Sequence, residues 1–248
     1  GIQFRTLNTR KGPAVQGTRC QNDKVLYRAR MKSVLERQEN LDIKQSLVEV
    51  ILVEGNRVVG VCDNLGMEFM APTVVLTTGT FLHGLIHIGS QRIPSGRAGE
   101  FPADGLADNL AKLGFQMGRM KTGTPARLRQ KSIDFSQFRE QKGDEKPRPF
   151  SLFTEKITLP QISCYLGHTK RRTHEIVQNN IDLSPLYSGV IKGVSARYCP
   201  SLEDKVMKFP HKEQHQIILQ PEGLDTEEIY ASGTGNCLPY DLQIQLVR

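Results

Sequence analysis

The chain has 248 residues, 38% hydrophobic and 24% charged, enough to bury one large core or two small ones without disulfide or metal staples. No apolar run approaches the roughly 20 residues of a membrane-spanning helix, and five widely spaced cysteines argue against a disulfide framework and for a reducing compartment, the cytoplasm by default. A net charge of +7 and a pI of about 9.2 admit an acidic partner such as nucleic acid, although many basic proteins bind none.

The opening Gly-Ile-Gln-Phe-Arg has no initiator methionine, charged n-region or apolar h-region, so the chain is expected to be an internal fragment. After Gly12-Pro13 and Gly17, Asn22 or Asp23 is placed to cap a helix running to about Gln38, with Tyr27, Met31, Val34 and Leu35 on one face. Short alternating runs follow: Leu47 to Glu54, a Gly55-Asn56 turn, Arg57 to Cys62, an Asn64-Leu65-Gly66 turn, and Met67 to Met70. They predict a small antiparallel meander. The run Thr73-Val74-Val75-Leu76-Thr77-Thr78, ending at Gly79, predicts a buried parallel strand.

Ligands of open α/β sheets sit off the carboxyl ends of strands, so Thr78, Gly79 and Thr80 are candidate cofactor contacts; a plain strand-to-loop turn is the alternative. Ser95 to Glu100 is a glycine-rich loop in which Gly96, Arg97 and Gly99 would let a phosphate approach the backbone, although no G-x-G-x-x-G frames it. Asp104 is placed to cap a helix from Leu106 to Leu113 that Gly114 closes, and Phe115 to Met120 reads as a strand.

From Arg127 to Pro149 the chain turns polar and charged, a long and partly mobile excursion at which a second domain is expected to begin. Thr169 is placed to cap a helix through Asn179 whose start carries Lys170, Arg171 and Arg172. Their coincidence with Arg127, Arg129, Lys131, Lys142, Lys146 and Arg148 raises the reading of a nucleic-acid partner, with Arg127, Arg129 and Lys170 to Arg172 as the candidate contacts, against a merely solvated face. The Cys164…His168 and His211…His215 pairs lack Cys-x-x-Cys or His-Glu-x-x-His spacing, so no metal is expected.

In Arg197-Tyr198-Cys199-Pro200-Ser201-Leu202-Glu203-Asp204-Lys205 a cysteine lies among charges. A thiol acts as a nucleophile only as thiolate, which Arg197 and Lys205 would favour; a buried, inert cysteine before a proline-led turn is the other reading.

Several stretches together resemble one family. They are the opening residues with Gly12-Pro13-Ala14-Val15, Val25-Leu26-Tyr27-Arg28, Val75 to Leu82, Gly96 to Glu100, Gly118 to Pro125, the run around Cys199, and His215 to Gly223. On these the chain resembles the glucose-inhibited division protein A (MnmG) family, flavoenzymes that modify the wobble uridine of certain tRNAs. The resemblance implies an α/β fold: part of a glutathione-reductase-like FAD-binding domain with the antiparallel β-meander and an inserted second domain. The expected division is 1–126 for part of the FAD domain, 127–192 for a basic, NADH-associated insertion, and 193–248 for the return to the FAD domain.

It further implies FAD and NADH as cofactors, methylenetetrahydrofolate as one-carbon substrate, and tRNA as the partner. Uridine 34 would receive an aminomethyl or carboxymethylaminomethyl group at C5. An MnmE-type GTPase would bind through a C-terminal region beyond Arg248, and the full-length protein would be a cytoplasmic homodimer. Carried onto this chain, the FAD contacts fall at Val48 and at Ala103, usually a serine. The NAD-assigned run covers Ser195, Ala196, Arg197, Tyr198, Cys199, Pro200, Ser201, Leu202, Glu203, Asp204, Lys205, Val206, Met207, Lys208 and Phe209. Cys199 would be catalytic, as nucleophile or acid/base.

The family's glycine-rich FAD fingerprint and a second cysteine would lie upstream of residue 1, so the piece alone is expected to be inactive. Ser195-Ala196 stands where the family usually has Gly-Pro, and Gly233 to Cys237 departs from the usual Ile-Ser-Thr-Ser pattern. The folate- and FAD-dependent tRNA uracil-5-methyltransferases share the C5 chemistry and are the enzymatic alternative; a non-catalytic RNA-binding module is the alternative from another class.

Overall fold

A computed structural model describes residues 1–195 and 200–248, with backbone alone at Val194 and Ser195. The chain divides into two compact units, one of Gly1–Asp42, Gly123–Asn179 and Pro200–Asn236, the other of Ile43–Thr122, Asn180–Cys199 and Cys237–Arg248. Its secondary structure mixes helices with mainly antiparallel sheets.

In the first unit, β1 (Gln3–Leu7) and β2 (Gly17–Gln21) pair as an antiparallel ribbon. Helix α1 (Lys24–Glu36) follows, its start fixed by Asp23, whose carboxylate accepts from the Leu26 N–H at 2.8 Å and from the Leu224 N–H at 2.8 Å. The expected apolar face is left largely open: no residue of α1 is buried, and Tyr27 is 56% exposed.

The second unit begins with the expected meander of β3 (Val48–Glu54), β4 (Arg57–Asp63) and β5 (Glu68–Met70). Gly55 takes φ +58°, a left-handed conformation that costs glycine nothing. Asp63 closes the second turn by accepting from the Leu65 and Met67 N–H groups and the Ser46 hydroxyl. The run from Thr73 to Thr78 forms no strand, and Val75 is 85% exposed, which corrects the expectation of a buried strand. A parallel strand needs neighbours on its edges, and none pairs with it among the described residues.

Next come the hairpin of β6 (Leu85–Ile88) with β7 (Gln91–Pro94) and helix α2 (Asp104–Lys112). Ala103, not Asp104, occupies the cap position of α2, and no side chain caps it. The helix packs on β3, where a register shift between Val48 and Val50 leaves Glu49 against Gly105 and the Asn109 side chain accepts from the Ile51 N–H at 2.9 Å. Only β8 (Met120–Lys121) forms at the end of the expected Phe115–Met120 strand, with Phe115 left exposed.

Back in the first unit, the expected excursion from Arg127 to Pro149 contributes two short strands, β9 (Arg127–Arg129) and β10 (Arg139–Gln141), to a sheet that β11 (Cys164–His168) joins. Helix α3 (Arg171–Asn179) follows. The second unit then adds β12 (Val194–Ser195), parallel to β8. In the first unit again, α4 (Leu202–Lys208) is held by a capping box between Ser201 and Asp204, with Leu202 and Val206 fully buried. Strands β13 (Gln216–Pro221) and β14 (Glu228–Ser232) complete the five-stranded order β10-β11-β13-β14-β9 around Leu219, Ile229 and Ala231. Helix α5 (Tyr240–Val247) closes the second unit.

One sheet therefore draws strands from both sides of residue 193, and Gly1–Asp42 joins it in the first unit. This division differs from the sequence boundaries at 126/127 and 192/193, because cross-strand hydrogen bonds between β9 and β14 ignore distance along the chain.

Candidate functional site

In the second unit the candidate cofactor residues gather about Phe81. Thr78 and Gly79 open a tight turn in which the Phe81 N–H donates to the Thr78 carbonyl at 3.0 Å, with Gly79 at φ +55°. The Thr80 hydroxyl donates to the Gly96 carbonyl at 2.5 Å, and Gly96 lies so close to the Phe81 ring that a Cβ there would overlap it. The Phe81 carbonyl accepts from the Ala103 N–H at 2.8 Å. Val48 and Phe81 pack on the cluster that contains Ala103, Ile51, Leu106 and Leu110. Val48 and Ala103 are far apart in sequence, yet the fold brings them together beside the 78–80 turn and the uncapped start of α2. Together with Phe81 they form one apolar wall beside that turn.

The 95–100 loop is different. The Ser95 hydroxyl donates to the Arg97 and Glu100 carbonyls, the Gly96 N–H donates to the Glu100 carbonyl at 3.1 Å, and Arg97 forms an ion pair with Glu100. The loop is closed on itself, Arg97 already has its anion, and Gly99, at φ +80°, serves the turn.

Sequence reasoning missed His83. It sits at φ +45°, a conformation a non-glycine residue adopts only when its surroundings hold it there. Its Nδ1 is 3.0 Å from Asp104 and its Nε2 2.9 Å from Asp108, while Arg119 donates to its carbonyl at 2.9 Å. A cleft of about 290 Å³ is lined by His83, Gly84, Leu85, Pro94, Asp104 and Arg119. The carboxylates one helical turn apart were the only sequence signal; the backbone conformation that turns His83 toward them left none.

Ala196, Arg197, Tyr198 and the catalytic candidate Cys199 lie outside the described residues. The backbone of Ser195 pairs with Lys121. Beyond the gap, in the first unit, Ser201 and Asp204 are spent on the capping box, and Leu202, Glu203 and Val206 are buried. The Lys205 ammonium donates to the Gly233 carbonyl at 3.1 Å, and Lys208 pairs with Asp204 at 2.6 Å. Pro200, Met207 and Phe209 stay accessible.

The nucleic-acid candidates of the first unit are mostly engaged. Arg127 binds Glu222 at 2.6 Å and lies over the Tyr230 ring at 4.5 Å; Arg129 binds Glu227 at 2.7 Å. Arg171 pairs with Glu175, Lys170 donates to Gln137, and Arg172 is exposed. Thr169 does not cap α3 through its hydroxyl. That group meets His174 Nε2 at 2.7 Å and accepts from the His215 N–H at 2.8 Å. The His174 and His215 rings stack at 5.2 Å, and burial pushes both imidazoles below their ordinary pKa.

Fold and site define a mixed α/β protein with mainly antiparallel sheets, in whose second unit the 78–80 turn and the start of α2 meet around Phe81. The chain belongs to the Glucose inhibited division protein A family, whose sequence profile matches residues 1–248. It is 67% identical over 246 residues to the tRNA uridine 5-carboxymethylaminomethyl modification enzyme MnmG of Syntrophobacter fumaroxidans, covering 99% of this chain and 38% of that one. The enzyme of the same name from Geobacter sulfurreducens is 57% identical over 248 residues, covering 100% of this chain and 40% of the relative. The crystal structure of Aquifex aeolicus GidA (form I) superposes with a TM-score of 0.92 at 50% identity, over 99% of this chain and 42% of that one. The chain thus spans about two fifths of the length of these relatives.

Proposed function

We propose that the chain is part of a cytoplasmic tRNA-modifying flavoenzyme that uses FAD and NADH. It adds an aminomethyl or carboxymethylaminomethyl group at C5 of wobble uridine 34, with methylenetetrahydrofolate supplying the bridging carbon. The family match along all 248 residues carries this reading, and the names of the relatives support it. The FAD domain is glutathione-reductase-like, the full-length protein is a homodimer, and an MnmE-type GTPase is its partner.

Val48, Thr78, Gly79, Thr80 and Ala103 would hold FAD, their convergence around Phe81 being the supporting observation. FAD, when bound, supplies two-electron redox chemistry, with NADH as reductant. C5 of uracil is a poor nucleophile. The Cys199 thiolate adds to C6, forming an S–C6 bond and placing the electron pair on C5 as an enolate. C5 then bonds to the methylene carbon as one of its carbon–nitrogen bonds to the folate opens, the nitrogen keeping the electron pair. Loss of the C5 proton with cleavage of S–C6 restores the pyrimidine ring and the thiolate, and an amine then displaces the remaining folate nitrogen from the methylene, giving the aminomethyl group and tetrahydrofolate. Arg197 stabilises the thiolate.

The test is Cys199→Ser in the full-length protein. It should keep the yellow flavin absorbance and lose uridine modification; normal modification would remove the nucleophile role. A colourless wild-type preparation that still shifts tRNA would replace the enzymatic reading with a binding module.

A further inference from the structure

Of the cations that the sequence singles out for nucleic acid, Arg127, Arg129, Lys131 and Arg171 are ion-paired, while among the described residues Lys142, Lys146 and Arg148 are not, and a second such group lies on the β1–β2 ribbon. The β1–β2 ribbon and its connection carry Arg5, Arg10, Lys11 and Arg19 with no acidic residue between Gln3 and Gln21. Arg5 and Arg19 are direct cross-strand partners on one face. Like charges placed so repel one another, and an anion laid across them removes that cost. Arg19 donates to the neutral Gln21 side chain at 2.8 Å. The nearby Cys164 thiol adds no negative charge, since burial pushes it up despite both arginines.

The outer edge of β1 is covered by residues 141–144. The Asp144 N–H donates to the Phe4 carbonyl at 2.8 Å, and the Thr6 N–H donates to the Asp144 carboxylate at 2.8 Å. This places Lys142, Lys146 and Arg148, all exposed, beside the ribbon, opposed only by Asp144 and Glu145 in that segment. Among the described residues none of these seven cations is in an ion pair. The strip is about 17 Å long at about 3.4 Å per residue, and no aromatic ring is exposed on it for a base to stack on.

We propose that the β1–β2 ribbon with residues 142–148 is the surface that binds the RNA phosphate backbone. The ribbon tip (Arg10, Lys11) and the adjoining segment (Lys142, Lys146) act as phosphate contacts without base readout. The assignment rests on the tRNA reading above. Salt dependence reads it directly, because each lost phosphate contact lowers the log K against log salt slope by about 0.7 to 0.9.

The experiment measures binding of an unmodified tRNA transcript by the full-length protein from 50 to 200 mM salt. R10Q/K11Q/K142Q/K146Q should bind about ten-fold more weakly at the lower salt, with a slope shallower by about 3. Lys32→Gln, a cation already paired with Glu36 on α1, should leave both unchanged. A wild-type slope in the quadruple variant overturns this surface alone. Wild-type protein that fails to bind tRNA overturns the tRNA reading and the surface with it. Equal binding to vesicles containing phosphatidylserine, lost in the same variant, reassigns the strip to membrane and overturns the RNA assignment.

Discussion

Asp23 shows how much one side chain settles. Its carboxylate caps α1 and also holds the Leu224 N–H, so it joins the helix to the turn after β13. These hydrogen bonds, Leu26 first, lower its pKa below the usual carboxylate value. The folded state therefore prefers the charged form. That stability is present above the unfolded pKa of about 4 and lost as pH falls through the lower folded pKa. Asp23→Ala should cost about 1 kcal/mol, read as a lower urea midpoint at pH 7. The difference should vanish in strong acid, and an equal loss at all pH values would show that the charge is irrelevant.

Gly96 makes a packing claim at the same scale. Any side chain there meets the Phe81 ring, the hub that ties the 78–80 turn to Ala103. Gly96→Ala should lower stability by about 1–3 kcal/mol through overpacking and weaken FAD binding in a flavin titration. Unchanged flavin affinity would detach this hub from the cofactor.

Among elements, the α3–β13 junction is the pH-sensitive one. His174 on α3 and His215 before β13 stack where burial favours neutral rings, with the Lys205 and Lys212 cations adding to the effect at His215. Folded-state imidazoles with lowered pKa bind fewer protons than the unfolded chain. Stability should therefore be full above about pH 6.5 and fall as pH drops through the folded values. His174→Phe should reduce that slope in urea melts between pH 7 and 5; an unchanged slope would place the titrating group elsewhere.

The meander and α1 were legible in sequence, because alternation, a glycine turn and a capping aspartate are all local signals. The 73–78 run was not, since apolar residues name a strand only when neighbours exist to pair with it. Nor were the ion pairs of Arg127 and Arg129, whose acids Glu222 and Glu227 lie 95 and 98 residues away. Charge clustering along a sequence reports density, and only the sheet order reveals which charges are already neutralised. Val48 and Ala103 entered through family resemblance; their contact became visible only when α2 packed on β3.

At the scale of the whole molecule, the fold pairs the cations of the β9 edge with acids and leaves those of the β1–β2 ribbon in no ion pair among the described residues. The residues proposed for FAD lie in the second unit and the basic strip in the first. The most direct test of that account supplies the full-length protein with FAD, NADH, methylenetetrahydrofolate, an amine donor, the partner GTPase and unmodified tRNA, then digests the RNA for mass spectrometry of its nucleosides. The account predicts a uridine at position 34 enlarged at C5, dependent on folate and absent with Cys199→Ser; an unmodified uridine 34 in the complete reaction would contradict it.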